Sequence, residues 1–323
     1  KNCYNNSNNI NICDNKEFFL FMFIISIICT ILTPILYTIS SRWVITTDFG
    51  LEMNVFGFLQ HAHDHKNFAL LKHFIFRVPN CLTTKNKQGR TVIMEAILLK
   101  PINIELFNFL IKKTLNYNAK DNNDKTVLHY ACEKGKITCL ETILNIYTEN
   151  KLRNIDNNFN LECEDKLGKT PLILASEYGN DNCVEMLIKL KCNINKQDKL
   201  GRTSLHYSIY GESQNNNNEK YMSVIYFLLS NEDINMEIYD YKRNWTPIFQ
   251  AVGGGSLNVI ELLINKGCKL DTIDNKGESL LHVATRYNRV NVLKYLLFDS
   301  NRIWNLNHKN SQDNTPLKLS VIG

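Results

Sequence analysis

The chain has 323 residues, of which 44% are hydrophobic and 21% are charged, a balance typical of folded proteins. Its 37 basic and 32 acidic residues give a formal net charge of +5. That excess is too small to predict nucleic-acid binding, which normally needs a dense basic stripe. The ten cysteines contain no C-x-x-C pair, which favours reduced thiols over a disulfide framework or a zinc site.

The N-terminal part combines a polar tail with an apolar stretch. Residues 1–17 are rich in asparagine, and residues 18–41 contain no charged residue over 24 positions. Because about 20 apolar residues cross a bilayer as a helix, residues 18–41 predict a single membrane span. A cleaved signal peptide is one alternative, although its apolar core usually covers only about 7–15 residues. The chain begins without Met, and a second alternative is that residues 1–49 do not belong to the native protein.

Residues 50–85 predict a short helical segment ahead of the repeated part of the chain. Apolar residues at helical spacing in 51–62 and 67–76 indicate two short amphipathic helices. A repeat array needs an end with a polar outer face. We therefore expect this segment to serve as a helical N-terminal cap or a degenerate repeat.

An eleven-residue phrase recurs seven times from residue 86 onward. Clear copies are DNKGESLLHVA at 274–284, DKLGRTSLHYS at 198–208 and DKLGKTPLILA at 165–175. The hydroxyl residues of the seven copies are Thr91, Thr126, Thr170, Thr203, Thr246, Ser279 and Thr315. They lie 33 to 44 residues apart, which indicates a period of 33 with insertions. The chain then divides into repeats 1 to 6 at 86–120, 121–164, 165–197, 198–239, 240–273 and 274–309, with a partial repeat 7 at 310–323.

The positions of the phrase predict one local structure for every repeat. Two residues before the hydroxyl the phrase has only Gly, Asn or Asp, which predicts a left-handed turn. The hydroxyl residue follows as a helix N-cap. The next columns are apolar two positions later and small five positions later, as expected for a buried helix face and a close helix contact. The turn residues are Gly89, Asp124, Gly168, Gly201, Asn244, Gly277 and Asp313. A second amphipathic helix follows each phrase, so a repeat reads turn, helix, loop, helix.

This phrase resembles the T-P-L-H-x-A signature of the ankyrin repeat family, whose unit has 33 residues. The resemblance covers residues 86–323 and implies an all-α fold. That fold is an ankyrin-repeat α-solenoid, in which helix-turn-helix units are joined by β-hairpin turns. Together with residues 18–41, the expected architecture is this solenoid preceded by a hydrophobic, transmembrane helix.

The histidine of the phrase recurs as His129, His206 and His282. Ser279, His282 and Asp274 supply a nucleophile, a base and an acid, so a catalytic site is one interpretation. A catalytic group would not be copied into several repeats of an array. The ankyrin resemblance implies instead that each histidine hydrogen-bonds to backbone and ties neighbouring hairpins together.

The resemblance further implies a non-catalytic scaffold that binds a protein partner through its hairpin tips and concave face, with no cofactor and no metal. The candidate partner-binding residues are Lys87, Arg90, Lys166, Lys169, Lys199, Arg202, Arg243, Trp245, Lys276 and Glu278. Most of them are basic, which predicts an acidic segment in the partner; the alternative is that they are solvated turn residues. We expect Trp245 to be exposed and to make the strongest contact, because interface hot spots favour tryptophan.

Two expectations concern the whole protein. We expect a single-pass membrane protein with its repeats facing the cytoplasm, or otherwise a cytoplasmic one. The chain stops after the first helix of repeat 7, so we also expect the natural protein to continue. An alternative function is therefore the recruitment module of a larger enzyme, adaptor or channel whose effector part lies beyond residue 323.

Overall fold

A computed structural model describes residues 45–46, 52–53, 55–64, 68–114, 116–153, 160–214, 219–300 and 303–322. The chain divides into two compact units, residues 1–54 and 55–323. In the first unit, β1 (Ile45–Thr46) pairs antiparallel with β2 (Glu52–Met53). The tail at 1–17 and the span predicted at 18–41 lie outside the described residues. No helix within the described ranges has the length and apolar character that crossing a membrane requires.

The second unit is a series of helix pairs. Helices α1 (Val55–Asp64) and α2 (Ala69–Arg77), with a 3-10 helix at Pro79–Thr83, precede repeat 1. The first helices of the seven repeats are α3 (Val92–Leu98), α5 (Val127–Glu133), α7 (Pro171–Glu177), α9 (Ser204–Gln214), α11 (Pro247–Gly254), α13 (Leu280–Arg286) and α15 (Pro316–Ile322). The second helices are α4 (Ile104–Lys113), α6 (Ile137–Leu152), α8 (Asp181–Lys189), α10 (Glu219–Leu229), α12 (Leu257–Asn265) and α14 (Val290–Lys294), which continues as a π-helical turn at Tyr295–Asp299.

The helices pack in rows, because each repeat buries its apolar faces against its neighbours. Helices α1, α3, α5, α7, α9, α11, α13 and α15 form one row, in which each contacts the next. The second helices α4, α6, α8 and α10 pack in the same way, and each first helix from α3 to α13 also contacts the second helix of its own repeat. This array confirms the all-α architecture of helix pairs expected for the repeats.

The turn before each first helix has the left-handed backbone that the sequence predicts. All seven turn residues have positive φ angles: Gly89 (75°), Asp124 (60°), Gly168 (77°), Gly201 (78°), Asn244 (56°), Gly277 (69°) and Asp313 (58°). Gly201 also lacks room for a side chain, because a Cβ atom there would lie 2.8 Å from the backbone nitrogen of Tyr241. The left-handed conformation therefore favours glycine at this position, and the approach of the next hairpin requires it.

The hydroxyl residues cap the first helices less uniformly than predicted. The Oγ1 atoms of Thr170 and Thr315 accept backbone N–H groups three residues later, at 3.3 and 3.2 Å. The Oγ1 atom of Thr246 is instead buried without a hydrogen-bond partner among the described residues. The predicted N-cap bond is therefore present in some repeats and absent in repeat 5.

The apolar column two residues past the hydroxyl forms the centre of the array. Its first six members are 4% exposed or less: Ile93, Leu128, Leu172, Leu205, Ile248 and Leu281. Leu317, the seventh member, is 76% exposed. Among the described helices α15 packs against α13, and its opposite side is open. The burial of this column therefore depends on the helices packed around each first helix, both in its own repeat and in the neighbouring ones.

Candidate functional site

Six of the seven hairpins are held in the same way by the acidic or amide residue that begins the phrase. Its side-chain Oδ1 atom accepts the backbone N–H groups two and four residues later, at 2.8–3.0 Å. The residues that do this are Asn86, Asp121, Asp165, Asp198, Asp274 and Asn310. Because one oxygen satisfies two donors, the side chain closes the hairpin and leaves its tip facing outward.

The hairpin tips are joined to one another by backbone hydrogen bonds. One N–H group at each tip donates to a carbonyl of the preceding tip, at 2.9–3.0 Å. These bonds are Asn122 to Gln88, Lys166 to Asn123, Lys199 to Leu167, Tyr241 to Leu200, Asn275 to Arg243 and Ser311 to Lys276. The tips of all seven repeats therefore form one continuous row.

The recurring histidines bridge neighbouring repeats. The Nδ1 atom of His129 accepts the backbone N–H of Thr126 at 3.0 Å, so the ring proton lies on Nε2. That Nε2 atom is 3.1 Å from the carbonyl of Lys169 in the next hairpin, and donates to it. His206 and His282 make the same bridge, to Trp245 and Asn314, at 3.0 and 2.9 Å. This geometry confirms that the histidines tie neighbouring hairpins together.

The environment of the histidines also argues against a catalytic Ser279–His282–Asp274 group. Although the hydroxyl of Ser279 is 2.8 Å from Nδ1 of His282, the Nε2 atom of that ring is occupied by a backbone carbonyl. Asp274 directs its Oδ1 atom to two backbone N–H groups of its own hairpin and not to the ring. Burial lowers the pKa of both His129 and His206 to about 4, which stabilises the neutral imidazole as a structural bridge.

Five of the ten predicted binding residues lie exposed at the tips. Lys87, Lys166, Lys199 and Lys276 extend from repeats 1, 3, 4 and 6, and Arg243 extends from repeat 5. The sequence-based selection omitted three apolar residues of the same row, Leu167, Leu200 and Tyr241, which are 58%, 50% and 61% exposed. Their common location at the tips of consecutive repeats was a signal available in the sequence.

A profile of ankyrin repeats matches this chain three times, at residues 59–158, 145–217 and 213–313. The chain belongs to the ankyrin-repeat family. Mouse Rabankyrin-5 is 27% identical over 199 residues, which cover 61% of this chain and 16% of that protein. The mouse neurogenic locus notch homolog protein 1 is 29% identical over 157 residues, which cover 48% of this chain and 6% of that protein. The chain therefore spans a small part of these relatives.

Solved structures of ankyrin domains share this fold. An ankyrin repeat domain from Acinetobacter baumannii is 25% identical, with a TM-score of 0.53 over 65% of this chain and 98% of that one. The human ASB11 ankyrin repeat domain is 22% identical, with a TM-score of 0.55 over 72% of this chain and 92% of that one. These likenesses agree with the helix-pair array described above.

Three basic residues predicted to bind a partner already contact other side chains of the array. The Nη1 atom of Arg90 lies 3.3 Å from Oε1 of Glu95 in the same repeat. The Nζ atom of buried Lys169 donates to both carboxylate oxygens of Glu177, at 2.7 and 2.6 Å. The guanidinium of Arg202 stacks on the ring of Tyr207, 4.5 Å from its centroid. Lys169 is therefore not an exposed contact, because its ammonium group is paired with the carboxylate of Glu177 inside the fold.

Glu278, a candidate partner-binding residue, is also buried. It forms an ion pair with Arg286 of α13, and its carboxylate also accepts the side-chain amide of Asn310 at 3.2 Å. Although burial opposes ionisation, these partners lower the pKa of Glu278. Repeat 6 therefore reverses the arrangement in repeat 3, where the cation is Lys169 in the hairpin and the carboxylate is on the helix.

Trp245 is 4% exposed, so the prediction of an exposed hot spot is wrong. The hairpin of repeat 5 contains one additional residue, and Asp240 accepts the N–H groups of Arg243 and Trp245, three and five positions later. The indole Nε1 atom donates to Asp274 at 3.2 Å, and the guanidinium of Arg243 covers the ring at 4.5 Å. The six-residue spacing from Asp240 to Thr246, against five in the other repeats, is the sequence signal for the altered hairpin only. Burial of Trp245 follows from its position directly before the hydroxyl residue, a position that is also buried at Lys169 and Glu278.

Proposed function

We propose that the chain is a non-catalytic ankyrin-repeat scaffold that binds a protein partner along the row of hairpin tips. Exposure of Leu167, Leu200 and Tyr241 is the observation that supports this most strongly. Large apolar side chains on a solvated turn contribute little to folding, whereas they contribute strongly to an interface when a partner covers them. Membership in the ankyrin family supports the same function, because such arrays generally act as binding scaffolds.

Exposed cations at the tips support an acidic segment as the partner. Lys166, Lys199 and Lys276 are exposed, and so is Arg243, although its guanidinium also covers the Trp245 ring; the charge of Lys169 is instead paired with Glu177. A partner carboxylate can approach the exposed group without breaking an existing ion pair. Electrostatic attraction of this kind mainly raises the association rate and depends on salt.

The experiment is affinity capture with the intact chain, followed by titration of the captured protein. We expect K166E/K199E to weaken binding about tenfold at low salt, because two attractive contacts become repulsive. A matched control is K266E/K269E, two charge reversals at exposed lysines after α12, away from the tips. Equal weakening by K266E/K269E would point to net charge alone and count against recognition at the tips.

We further propose that residues 18–41 tether the protein to a membrane in a single pass, with the repeats facing the cytoplasm. The absence of charge over those 24 residues supports the span, and reduced cysteines in the repeats support the orientation. Carbonate extraction tests it: we expect the protein to stay in the membrane pellet. Release into the soluble fraction would contradict the tether.

A second candidate function is recruitment within a longer polypeptide. The observation in its favour is that the chain corresponds to 16% of Rabankyrin-5 and 6% of the notch homolog. In this case the array would position an enzyme, adaptor or channel segment encoded beyond residue 323. Sequencing the full transcript tests this proposal, because an open reading frame that ends at residue 323 would contradict it.

A further inference from the structure

The apolar tip residues are arranged as a stripe with cations on either side. Leu167 and Leu200 occupy the same position in repeats 3 and 4, and their carbonyl groups accept the N–H groups of Lys199 and Tyr241. The ring of Tyr241 lies over Gly201, the residue directly after Leu200, since a Cβ atom built there would be 2.6 Å from the ring. We call Leu167, Leu200 and Tyr241 the tip stripe.

Cations alternate with the tip stripe along the row. Lys166 precedes Leu167, Lys199 precedes Leu200, and Lys242 with Arg243 follows Tyr241; all four are exposed. The carboxylates that begin these hairpins direct their Oδ1 atoms to backbone N–H groups of the same hairpin. The row over repeats 3 to 5 therefore offers apolar contact and positive charge in alternation.

The spacing of the row fits an extended segment. Neighbouring hairpins are hydrogen-bonded side by side, so one hairpin step equals two strand spacings, or about 10 Å. Three residues of an extended chain cover about the same distance, at roughly 3.3 Å each. A segment that crosses the tips would thus bring residues three apart to Leu167 and Leu200, while Tyr241, which has the backbone position of Lys199, lies beside Leu200.

We infer that the tip stripe recognises an extended acidic segment with an apolar side chain at every third residue. The apolar residues would cover Leu167, Leu200 and Tyr241, and the acidic residues between them would face Lys166 and Lys199. This inference rests on the proposed scaffold function and names the chemistry of its partner. It places recognition in repeats 3 to 5, not along the whole array.

The test uses two fluorescein-labelled synthetic peptides with the intact chain. The first has leucine at every third position and glutamate between, and the second has the same composition with the leucines adjacent to one another. We expect the first to bind at least tenfold more tightly in fluorescence anisotropy, because only its leucines reach successive tips. Equal affinities, or no saturable binding of the first peptide, would overturn the inference.

Substitutions at the hairpin tips test whether the first peptide binds to the tip stripe. We expect L167S/L200S to weaken binding of the first peptide at least tenfold, because the leucines of the peptide lose two apolar contacts with the tips. Y226S is the control, because Tyr226 is 54% exposed on α10, away from the tips. These side chains are solvated, so circular dichroism should show an unchanged fold. A similar loss in Y226S would place the peptide elsewhere and contradict the tip stripe.

The captured partner separates this inference from the scaffold function. If the partner binds L167S/L200S as well as it binds the unmodified chain, the extended-segment inference is wrong while the scaffold function stands. If no protein binds the unmodified chain saturably and specifically, the scaffold function itself fails. Weaker partner binding by L167S/L200S, with binding by Y226S unchanged, supports both.

Discussion

Acidification from pH 7.5 to 5.5 is expected to lower the free energy of unfolding by about 3 kcal/mol through His129 and His206. Burial lowers the pKa of both imidazoles from 6.5 to about 4. Between those values the unfolded chain binds a proton that the folded chain does not, so stability falls as the pH falls. At pH 5.5, one unit below 6.5, each imidazole accounts for about 1.4 kcal/mol.

The structural reason is that the bridge requires a neutral ring. Protonation would place a hydrogen on Nδ1, which accepts the backbone N–H of Thr126 in one bridge and of Thr203 in the other, at 3.0 and 3.2 Å. Two donors would then face each other in a buried site. His282 is shifted in the same direction and adds to the effect. Glu212 acts oppositely, because burial raises its pKa, so a comparison between variants is needed.

The assay is urea unfolding at pH 7.5, 6.5 and 5.5, monitored by circular dichroism. The comparison variant is H129M/H206M, because repeat 1 has methionine at this position, where the Met94 sulfur accepts the N–H of Thr91 at 3.4 Å. We expect the variant to lose most of the pH dependence of the unmodified chain. Parallel curves for the two proteins would refute the assignment, and so would NMR titration of either folded imidazole near pH 6.5.

Three pairs of substitutions test the packing by urea unfolding. L281A should cost about 3 kcal/mol, whereas L317A, at the same repeat position but exposed, should cost less than about 0.5. G267A should cost about 1 kcal/mol from left-handed strain alone, and G201A at least twice that, because its Cβ also meets the next hairpin. D198A should cost about 2–3 kcal/mol by leaving buried donors unpaired, whereas D198N should be milder, since asparagine keeps the Oδ1 acceptor. Equal losses within any pair would contradict its explanation.

The repeat architecture was predictable because its requirements are local. A left-handed turn admits few residue types, so Gly, Asn and Asp two places before the hydroxyl predict the backbone directly. The same holds for the histidine bridge, whose partner is a backbone carbonyl present in every repeat. Neither feature depends on which side chain a neighbouring repeat contributes.

The predicted binding surface was less accurate because exposure depends on pairing. Lys169 and Glu278 are each buried by a charged partner eight residues later, Glu177 and Arg286, across the turn and at the far end of the helix. Basic character alone does not separate such residues from solvated tip lysines. Trp245 stands directly before the hydroxyl residue of its repeat, as Lys169 and Glu278 do, and its indole is buried by contacts with Asp274 and Arg243.

Continuous pairing between the tips has a consequence for how a partner can approach. Proteins often capture a peptide by letting it add as a new strand to an open sheet edge. Here the N–H groups of Lys166, Lys199 and Tyr241 already donate to the preceding hairpin. A visiting chain cannot take these bonds over without separating two repeats, so these three N–H groups cannot supply affinity. Selectivity must come from side chains, and substitutions at the tips can alter the choice of partner while the array remains intact.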